Sequence, residues 1–314
     1  MNSPDLRVVL EPEISDYDPE LYRYQRVAEG ITGFESVNEE EIARFRQRGY
    51  LVVHGAFSTA QVEAARQELY RLGTSPRPDC ESVYFEGAVR RQLPALKGKP
   101  VDAPRGRRFV DLALGHTGKR LPPLDPATRM RFVRKFMGFT REENPALQAL
   151  AEDPSLIRVV GRILGGKPGL YQDMALIKPP GGREKPWHQD RAYFNLTQTS
   201  RILGVWIALD HATPENGCMQ VVEGGHRQGP RVHFMRRDWQ ICDSEVARLP
   251  RVAIPMGAGG CLLFDALLPH GTPANRTDRQ RWAVQYHYVS SDSRETGDED
   301  RLAVFGSEGK GVSC

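Results

Sequence analysis

Apolar and polar positions divide the chain into a mostly helical first half and a second half of short strands. Residues 1–37 are polar and interrupted by Pro and Gly, which predicts an irregular N-terminal arm. Residues 38–165 then show mainly helical spacing, and Asn38 and Ser58 each precede a Glu or Gln by three residues, as helix caps do. Within this part, residues 74–128 are rich in Pro, Gly and Arg and predict a loop or lid, whereas residues 127–165 return to a helical pattern.

From residue 166 to residue 290 the pattern changes to short apolar or alternating runs separated by Pro- and Gly-rich turns. Many short strands at such intervals are typical of an antiparallel sandwich or jelly roll. The sequence therefore predicts a single domain of mixed α+β class with a mainly β core. Helices from the N-terminal half pack on one sheet, and residues 291–314 form a loose polar tail.

Composition narrows the class of protein. The 314 residues are 39% apolar, and 43 basic against 40 acidic side chains give a net charge of +3, which is too balanced for a dedicated nucleic-acid or membrane-surface binder. The basic run Lys97–Arg108 is interpreted as a solvated loop or lid in preference to a phosphate-binding patch. Five scattered cysteines without a CxxC motif indicate neither a disulfide framework nor a zinc knuckle. We expect a cytoplasmic enzyme.

One histidine has the spacing of a metal ligand built on a strand. His188 and Asp190 are two residues apart, so both side chains can point to the same face. His270, which follows an apolar strand and precedes a glycine turn, is the best candidate for a third ligand. Two histidines and one carboxylate suit non-haem Fe(II) and O2 chemistry. Ordinary packing and turn histidines remain an equal alternative at this point, and His211, His226 and His233 are interpreted as surface or turn histidines.

A strongly alternating strand begins at Arg281. Arg281, Ala283, Gln285 and His287 share one face, and the aromatic residues between them share the other, which we expect to pack on helices. The face with Arg281 then points into the barrel or to water, and a guanidinium at a barrel mouth can hold a carboxylate through paired hydrogen bonds. A surface salt bridge is the alternative for Arg281.

These residues belong to segments that together resemble a known family. The order and spacing over roughly residues 39–290 resemble the phytanoyl-CoA dioxygenase family of Fe(II)- and 2-oxoglutarate-dependent oxygenases. The segments are WHQDRAYF at 187–194, VWIALD at 205–210, NGCM at 216–219, GGH at 224–226, and HGT at 270–272 followed by Arg281.

The resemblance implies a double-stranded β-helix, which is a cupin-like jelly roll, with iron held by His188, Asp190 and His270. It also implies that Arg281 and Thr272 hold the distal carboxylate of 2-oxoglutarate. Further positions that resemble the cosubstrate pocket are Trp206, Lys135 and Gln172. Substrate contacts are assigned to Tyr193, Gln285 and His287.

The expected reaction uses Fe(II), 2-oxoglutarate and O2 to oxidise a small organic substrate, most simply by hydroxylation, with release of succinate and CO2. The alternatives are a metal-binding or sugar-binding jelly roll without oxygenase activity, and an iron halogenase, which the presence of Asp190 disfavours. The segment 74–128 shows no family pattern, so the family's namesake substrate is not carried over. We expect a small-molecule partner and neither nucleic acid nor a membrane.

Overall fold

The structure is a computed structural model that describes residues 6–12, 16–93 and 116–314. The strands of this part are β1 (Arg7–Leu10), β2 (Arg26–Val27), β3 (Ile31–Thr32), β4 (Tyr50–His54), β5 (Ser82–Phe85), β6 (His116–Gly118), β7 (Val133–Met137), β8 (Pro168–Lys178), β9 (Lys185–His188), β10 (Ile202–Ala208), β11 (Met219–Val221), β12 (His233–Met235), β13 (Trp239–Ile241), β14 (Val252–Ile254), β15 (Cys261–Asp265), β16 (His270–Thr272) and β17 (Arg281–Ser290). Its helices are α1 (Glu39–Arg48), α2 (Thr59–Thr74), α3 (Pro126–Phe132), α4 (Pro145–Ala151), α5 (Pro154–Leu164), α6 (Asp243–Val246) and α7 (Asp298–Phe305).

Two β-sheets form the walls of the jelly roll. The large sheet has the strand order β3-β4-β15-β10-β17-β8-β7-β5-β1-β6, and the small sheet has the order β2-β14-β11-β16-β9. Trp206, Leu262 and Ala283 of the large sheet share a buried apolar cluster with Met219 and Val221 of the small one. This cluster joins the inner faces, so the predicted fold class is confirmed.

The outer face of the large sheet is covered by helices, as the alternation on β17 predicts. Trp282, Tyr286 and Tyr288 of β17 lie in one buried cluster with apolar residues of α1, α2, α4 and α5. The Tyr286 hydroxyl donates to the Leu147 carbonyl oxygen of α4 at 2.7 Å. The alternate residues of β17 are therefore directed between the two sheets.

The helix ends follow the capping signals in the sequence. The Asn38 side chain accepts the Glu41 N–H at 3.0 Å at the start of α1, and Gly49 ends this helix with φ of 83°. Ser58 and Gln61 form a reciprocal capping box at the start of α2. Both predicted helix starts are confirmed.

The prediction of helix throughout residues 127–165 is wrong at Val133–Met137. This segment forms β7 and is paired on both sides, with β5 and with β8. Val133 and Phe136 are buried in the helix-covered core. A five-residue run with two apolar positions does not distinguish strand from helix by its periodicity, and pairing with β5 and β8 decides the outcome.

The predicted irregular arm and the predicted loop also contain strands. β1 pairs with β5 and β6, β2 pairs with β14, and β3 pairs with β4. Each of these strands is only two to four residues long, so its alternation of apolar and polar residues is too short to predict a strand. Their partner strands also lie elsewhere in the sequence. β5 and β6 lie within residues 74–128, whereas the basic run Lys97–Arg108 lies outside the described residues.

The expectation of a loose tail without disulfides is also corrected. Residues 298–305 form α7, and Arg301 of this helix donates to the Ala192 carbonyl oxygen at 3.0 Å and to Asn195 Oδ1 at 2.7 Å. Cys314 then forms a disulfide with Cys242, 72 residues earlier. Docking of α7 brings the C-terminal tail back to residue 242. The sequence spacing of the two cysteines therefore gives no signal for this disulfide.

No helix in the described ranges combines the length and the apolar character that crossing a bilayer requires.

Asp173 of β8 fixes the chain after β7, and its removal tests this connection. Its carboxylate accepts the backbone N–H groups of Gly138, Phe139 and Thr140. Asp173→Ala leaves these donors unsatisfied in a buried place, so we expect the free energy of unfolding to fall by about 2–4 kcal/mol. Denaturant unfolding measures this, with Asp278→Ala, whose side chain is 95% exposed, as the control. Equal stability of both variants would contradict the assignment.

Candidate active site

Two paired strands and one tight turn bring the three predicted metal ligands together. β9 and β16 are antiparallel neighbours, and His188 lies directly opposite His270 in their register. Asp190 begins the 3-10 helix Asp190–Tyr193 that follows β9. One ligand atom from each of the three buried side chains lies within 4.8 Å of the others. The geometry is that of a three-ligand metal site.

Backbone carbonyl groups fix the orientation of both imidazole rings. His188 Nδ1 is 2.7 Å from the Pro186 carbonyl oxygen, and His270 Nδ1 is 2.9 Å from that of Leu268. Because a carbonyl oxygen only accepts, each Nδ1 carries the proton and each Nε2 presents its lone pair to the centre. Burial, followed by the neighbouring His270, lowers the pKa of His188 to about 4. His188 is therefore a neutral ligand at physiological pH.

Asp190 uses its two oxygens for different purposes. Oδ1 is 3.2 Å from His188 Nε2 and 3.5 Å from His270 Nε2. Oδ2 accepts hydrogen bonds from Gln285 Nε2 at 3.0 Å and from His287 Nε2 at 2.8 Å. Burial alone would raise the pKa of Asp190, but the imidazoles of His270 and His287 hold it well below its usual value. The carboxylate is thus ionised and directs one oxygen toward the metal position.

Arg281 lies fully inside the protein with part of its guanidinium unpaired. The side chain is 2% exposed, and Nη2 donates to the Gly217 carbonyl oxygen at 3.2 Å. Nε and Nη1 are buried without a hydrogen-bond partner among the described residues. Burial lowers the pKa of Arg281 to about 10, so the group remains charged at neutral pH. A buried cation with free N–H groups fits a bound anion.

A cavity of about 300 Å³ connects Arg281 with the metal triad. All predicted cosubstrate and substrate residues line it, and these are Arg281, Thr272, Trp206, Lys135, Gln172, Tyr193, Gln285 and His287. The guanidinium of Arg281 lies 5.3 Å from the centre of the Trp206 ring. Lys135 Nζ lies 4.0 Å from the centre of the Tyr84 ring, and burial lowers the pKa of this lysine.

The residues predicted for substrate contact take different places in this cavity. The side chains of Gln285 and His287 both donate hydrogen bonds to Asp190 Oδ2. Tyr193 stands edge-on to His188, with ring centres 5.6 Å apart, and its hydroxyl donates to the Trp239 carbonyl oxygen at 2.7 Å. Gln172, which was predicted for the cosubstrate pocket, pairs with His287 in the β8–β17 register, and this places it toward the metal end of the cavity and away from Arg281.

Sequence analysis missed a charged network at the cavity. Asp238 accepts from Lys185 Nζ at 2.7 Å and from Arg183 Nη2 at 3.1 Å. Glu11 pairs with Arg134 at 2.7 Å and with Arg183 at 3.3 Å. These residues come from β7, the β8–β9 region, the β12–β13 hairpin and the N-terminal segment, so no spacing signal connects them.

Lys178 was also missed, although a signal for it exists. It stands two, four and six residues after Leu176, Met174 and Gln172 on β8, and all four side chains line the cavity. Continuing the alternation from Gln172 to the end of the strand predicts this inward orientation.

Of the three histidines interpreted as surface or turn residues, the structure places two as predicted and buries the third. His211 is exposed, and His226 Nε2 contacts the Arg46 carbonyl oxygen at 3.1 Å. His233 is not at the surface, because it is fully buried. Its Nε2 accepts the N–H of Gln189 at 3.1 Å, and Gln189 is the residue between His188 and Asp190 in the sequence. Burial lowers the pKa of His233 to about 3, so it is neutral.

Comparison with known proteins gives one matching family model, described as phytanoyl-CoA dioxygenase, over residues 45–283. Phytanoyl-CoA dioxygenase domain-containing protein 1 of Danio rerio is 23% identical over 280 residues, which are 85% of this chain and 94% of that protein. Phytanoyl-CoA dioxygenase of Arabidopsis thaliana is 25% identical over 281 residues, covering 84% of this chain and 92% of its own length.

Solved structures show the same fold. EvdO2 from Micromonospora carbonacea var. aurantiaca, crystallised with 2-oxoglutarate, is 24% identical with a TM-score of 0.54, covering 86% of this chain and 97% of that one. EctD from S. alaskensis, crystallised with 2-oxoglutarate and 5-hydroxyectoine, is 20% identical with a TM-score of 0.56, covering 92% and 85%.

Removal of one imidazole tests the metal site directly. We expect His188→Ala to lose stoichiometric Fe(II) binding under anaerobic conditions, because two ligands remain where three converge. His226→Ala, which removes a histidine outside the triad, should bind one Fe(II) like the parent. Metal content after dialysis provides the measurement, and one tightly held ion in His188→Ala would refute the site.

The hydrogen bonds that Asp190 Oδ2 accepts lead to a second prediction about Fe(II) affinity. Gln285→Leu removes one donor while keeping a buried side chain of similar size, so Asp190 loses part of what orients it. We expect Fe(II) affinity to fall about tenfold or more, as for other groups that orient metal ligands. The exposed substitution Gln67→Leu serves as the control. Unchanged affinity in a folded Gln285→Leu protein would contradict this role.

Proposed function

Because the chain belongs to the phytanoyl-CoA dioxygenase family and is an Fe(II)- and 2-oxoglutarate-dependent oxygenase, we propose that His188, Asp190 and His270 hold its iron. Two neutral imidazole nitrogens and one carboxylate oxygen fit a divalent first-row metal with further positions left for other ligands. When bound, iron supplies the O2 activation that couples substrate oxidation to decarboxylation of 2-oxoglutarate into succinate and CO2.

The protein's own contribution begins with the arrangement of the ligands. The Pro186 and Leu268 carbonyl groups fix the ring orientation of the two histidines, and Gln285 and His287 fix Asp190. We therefore assign Gln285 and His287 as positioning residues for the metal ligand instead of substrate contacts. Their hydrogen bonds occupy Oδ2, which keeps Oδ1 directed toward the imidazole nitrogens.

Arg281 is the proposed partner of the distal carboxylate of 2-oxoglutarate. Within residues 6–12, 16–93 and 116–314, its Nε and Nη1 have no partner, so they are donors for a carboxylate. Its positive charge offsets that group's loss of hydration. Thr272 supplies a hydroxyl, and Trp206 lies beside the guanidinium with a buried indole N–H that has no partner among the described residues. Lys135 adds an ammonium group to the same pocket.

The proposed substrate is a small organic molecule with a substantial apolar part. Four methionines line the cavity, namely Met137, Met174, Met219 and Met235. Flexible, polarizable side chains of this kind adapt to irregular apolar shapes. Tyr193, beside His188, is the proposed aromatic substrate contact. Gln172 was predicted for the cosubstrate pocket, and its register with His287 leads us to propose it instead as a polar substrate contact. Hydroxylation is the proposed outcome.

The single observation that carries this function is that one cavity holds both the metal triad and a buried guanidinium whose Nε and Nη1 have no partner among the described residues. A metal-binding or sugar-binding jelly roll without oxygenase activity has no need for such a cation. A halogenase is disfavoured because Asp190 occupies the carboxylate position. Cytoplasmic location and the lack of a nucleic-acid partner stay predictions.

Succinate release from 2-oxoglutarate tests the proposed function. The Fe(II)-loaded protein with O2 should convert 2-oxoglutarate to succinate and CO2, and a library of apolar substrates should stimulate this conversion. His188→Ala is the control without the metal site. Absence of succinate from a parent protein that retains Fe(II) would reject the assignment.

Arg281→Ala should raise the Kd for 2-oxoglutarate by about 30-fold or more, since truncating one partner of a buried charge pair costs about 2–5 kcal/mol. Fe(II) affinity should be unchanged, and Arg281→Lys should recover binding only in part, because lysine offers a point charge without the planar fork. Anaerobic titration of the Fe(II) protein measures both constants. Arg279→Ala, whose side chain is 91% exposed, is the matched control. An Arg281→Ala protein with parental Kd would overturn the anchor.

A further inference from the structure

Lys178 is a second buried cation at the Arg281 end of the cavity. The two residues are direct partners in the β8–β17 register, and Lys178 is 4% exposed. Neither side chain forms an ion pair with a carboxylate of the described residues. Burial, followed by the charge of Arg281, lowers the pKa of Lys178 well below its usual value, so its ammonium form needs a nearby anion. Two neighbouring cations without a protein carboxylate fit a shared anion.

The three protons of Lys178 are all used within the protein. Nζ donates to Thr272 Oγ1 at 2.7 Å, to the Thr272 carbonyl oxygen at 3.4 Å, and to the Pro273 carbonyl oxygen. An ammonium group has no lone pair, so Thr272 Oγ1 acts only as an acceptor in this contact. The hydroxyl proton of Thr272 is consequently available to another acceptor, and Thr272 lines the cavity.

The neighbouring turn is built around both cations. Gly217 has φ of 85° and its carbonyl oxygen accepts from Arg281 Nη2. A Cβ at this position would lie 2.9 Å from Lys178 Cδ, 3.0 Å from its Nζ and 2.6 Å from the Pro273 carbonyl oxygen. The turn therefore packs directly on the Lys178 ammonium and holds it in place.

We propose that Lys178 is a positioning residue for the cosubstrate: it directs the Thr272 hydroxyl proton toward the distal carboxylate and adds a positive charge beside Arg281. This inference rests on the proposed function. Lys178 acts through Thr272, because its own protons are occupied. Its effect is therefore specific to a ligand that carries a second carboxylate.

A pair of ligands isolates this effect. 2-Oxoglutarate and 2-oxopentanoate share the 2-oxo acid group and the chain length, but 2-oxopentanoate has a methyl group in place of the distal carboxylate. Binding of each to the anaerobic Fe(II) protein is measured by calorimetry. For Lys178→Met we expect the Kd of 2-oxoglutarate to rise about 10- to 100-fold, as for loss of a charged hydrogen-bonding group. The Kd of 2-oxopentanoate should change less than about threefold.

Further variants test the route through Thr272. Thr272→Val should reduce the preference for 2-oxoglutarate over 2-oxopentanoate about tenfold, and Thr272→Ser should restore it, because serine keeps the hydroxyl. The double variant Lys178→Met/Thr272→Val should lose less than the product of the single losses. Lys167→Met, which alters an exposed lysine, is the control and should behave like the parent.

Each outcome decides the inference. Equal weakening of both ligands by Lys178→Met would mean a merely structural role, and no weakening of either would remove the role altogether. If Lys178→Met does not fold, an unchanged ligand preference in Thr272→Val still overturns the proposal, because Lys178 is proposed to act through the Thr272 hydroxyl. A parent protein that binds neither ligand contradicts the proposed function itself, which separates that failure from a failure of the Lys178 inference.

Discussion

The inner face of β17 places opposite electrostatic demands at the two ends of one cavity. At one end, Gln285 and His287 donate to Asp190, whose buried negative charge faces two imidazole nitrogens. At the other end, Arg281 is buried, and its Nε and Nη1 have no partner in the part of the chain that the structure describes. Burying such charges is costly unless a partner of opposite sign is bound. The proposed metal cation at the first end and the proposed dicarboxylate at the second end would satisfy both demands, and stability and ligand binding would then be linked at this strand.

Such an arrangement needs a rigid frame, because each charge must stay where its partner binds. The antiparallel register of β9 and β16 sets His188 opposite His270 without depending on a loop. The register of β8 and β17 does the same for Lys178 and Arg281. Helices cover the outer face of β17, and the apolar cluster between the sheets closes the inner face beyond the cavity. The positions of the site are therefore set mainly by strand pairing.

The sequence predicts those structural features that depend on a short, local pattern of residues. The alternation from Arg281 to His287 gives the inward face of β17, and the two-residue spacing of His188 and Asp190 gives a shared direction. The caps at Asn38 and Ser58 are equally local. Pairing between distant segments leaves no such trace, so β1, β7 and the Cys242–Cys314 disulfide were missed. His270 entered as a candidate from its position after a strand, and its placement beside His188 depends on sheet topology.

The charged network shows why the substrate side is harder to derive than the metal side. The metal triad is a small set of donors whose chemistry restricts the choice of residues, whereas Glu11, Arg134, Arg183, Lys185 and Asp238 largely neutralise one another. Mutually paired charges fix the shape of the cavity and leave little net charge for a ligand. Under the proposed function, recognition of the substrate depends on shape and on apolar contact with the methionines that line the cavity. Shape of this kind arises from the chain as a whole, so it can differ within a family while the metal and carboxylate sites stay the same.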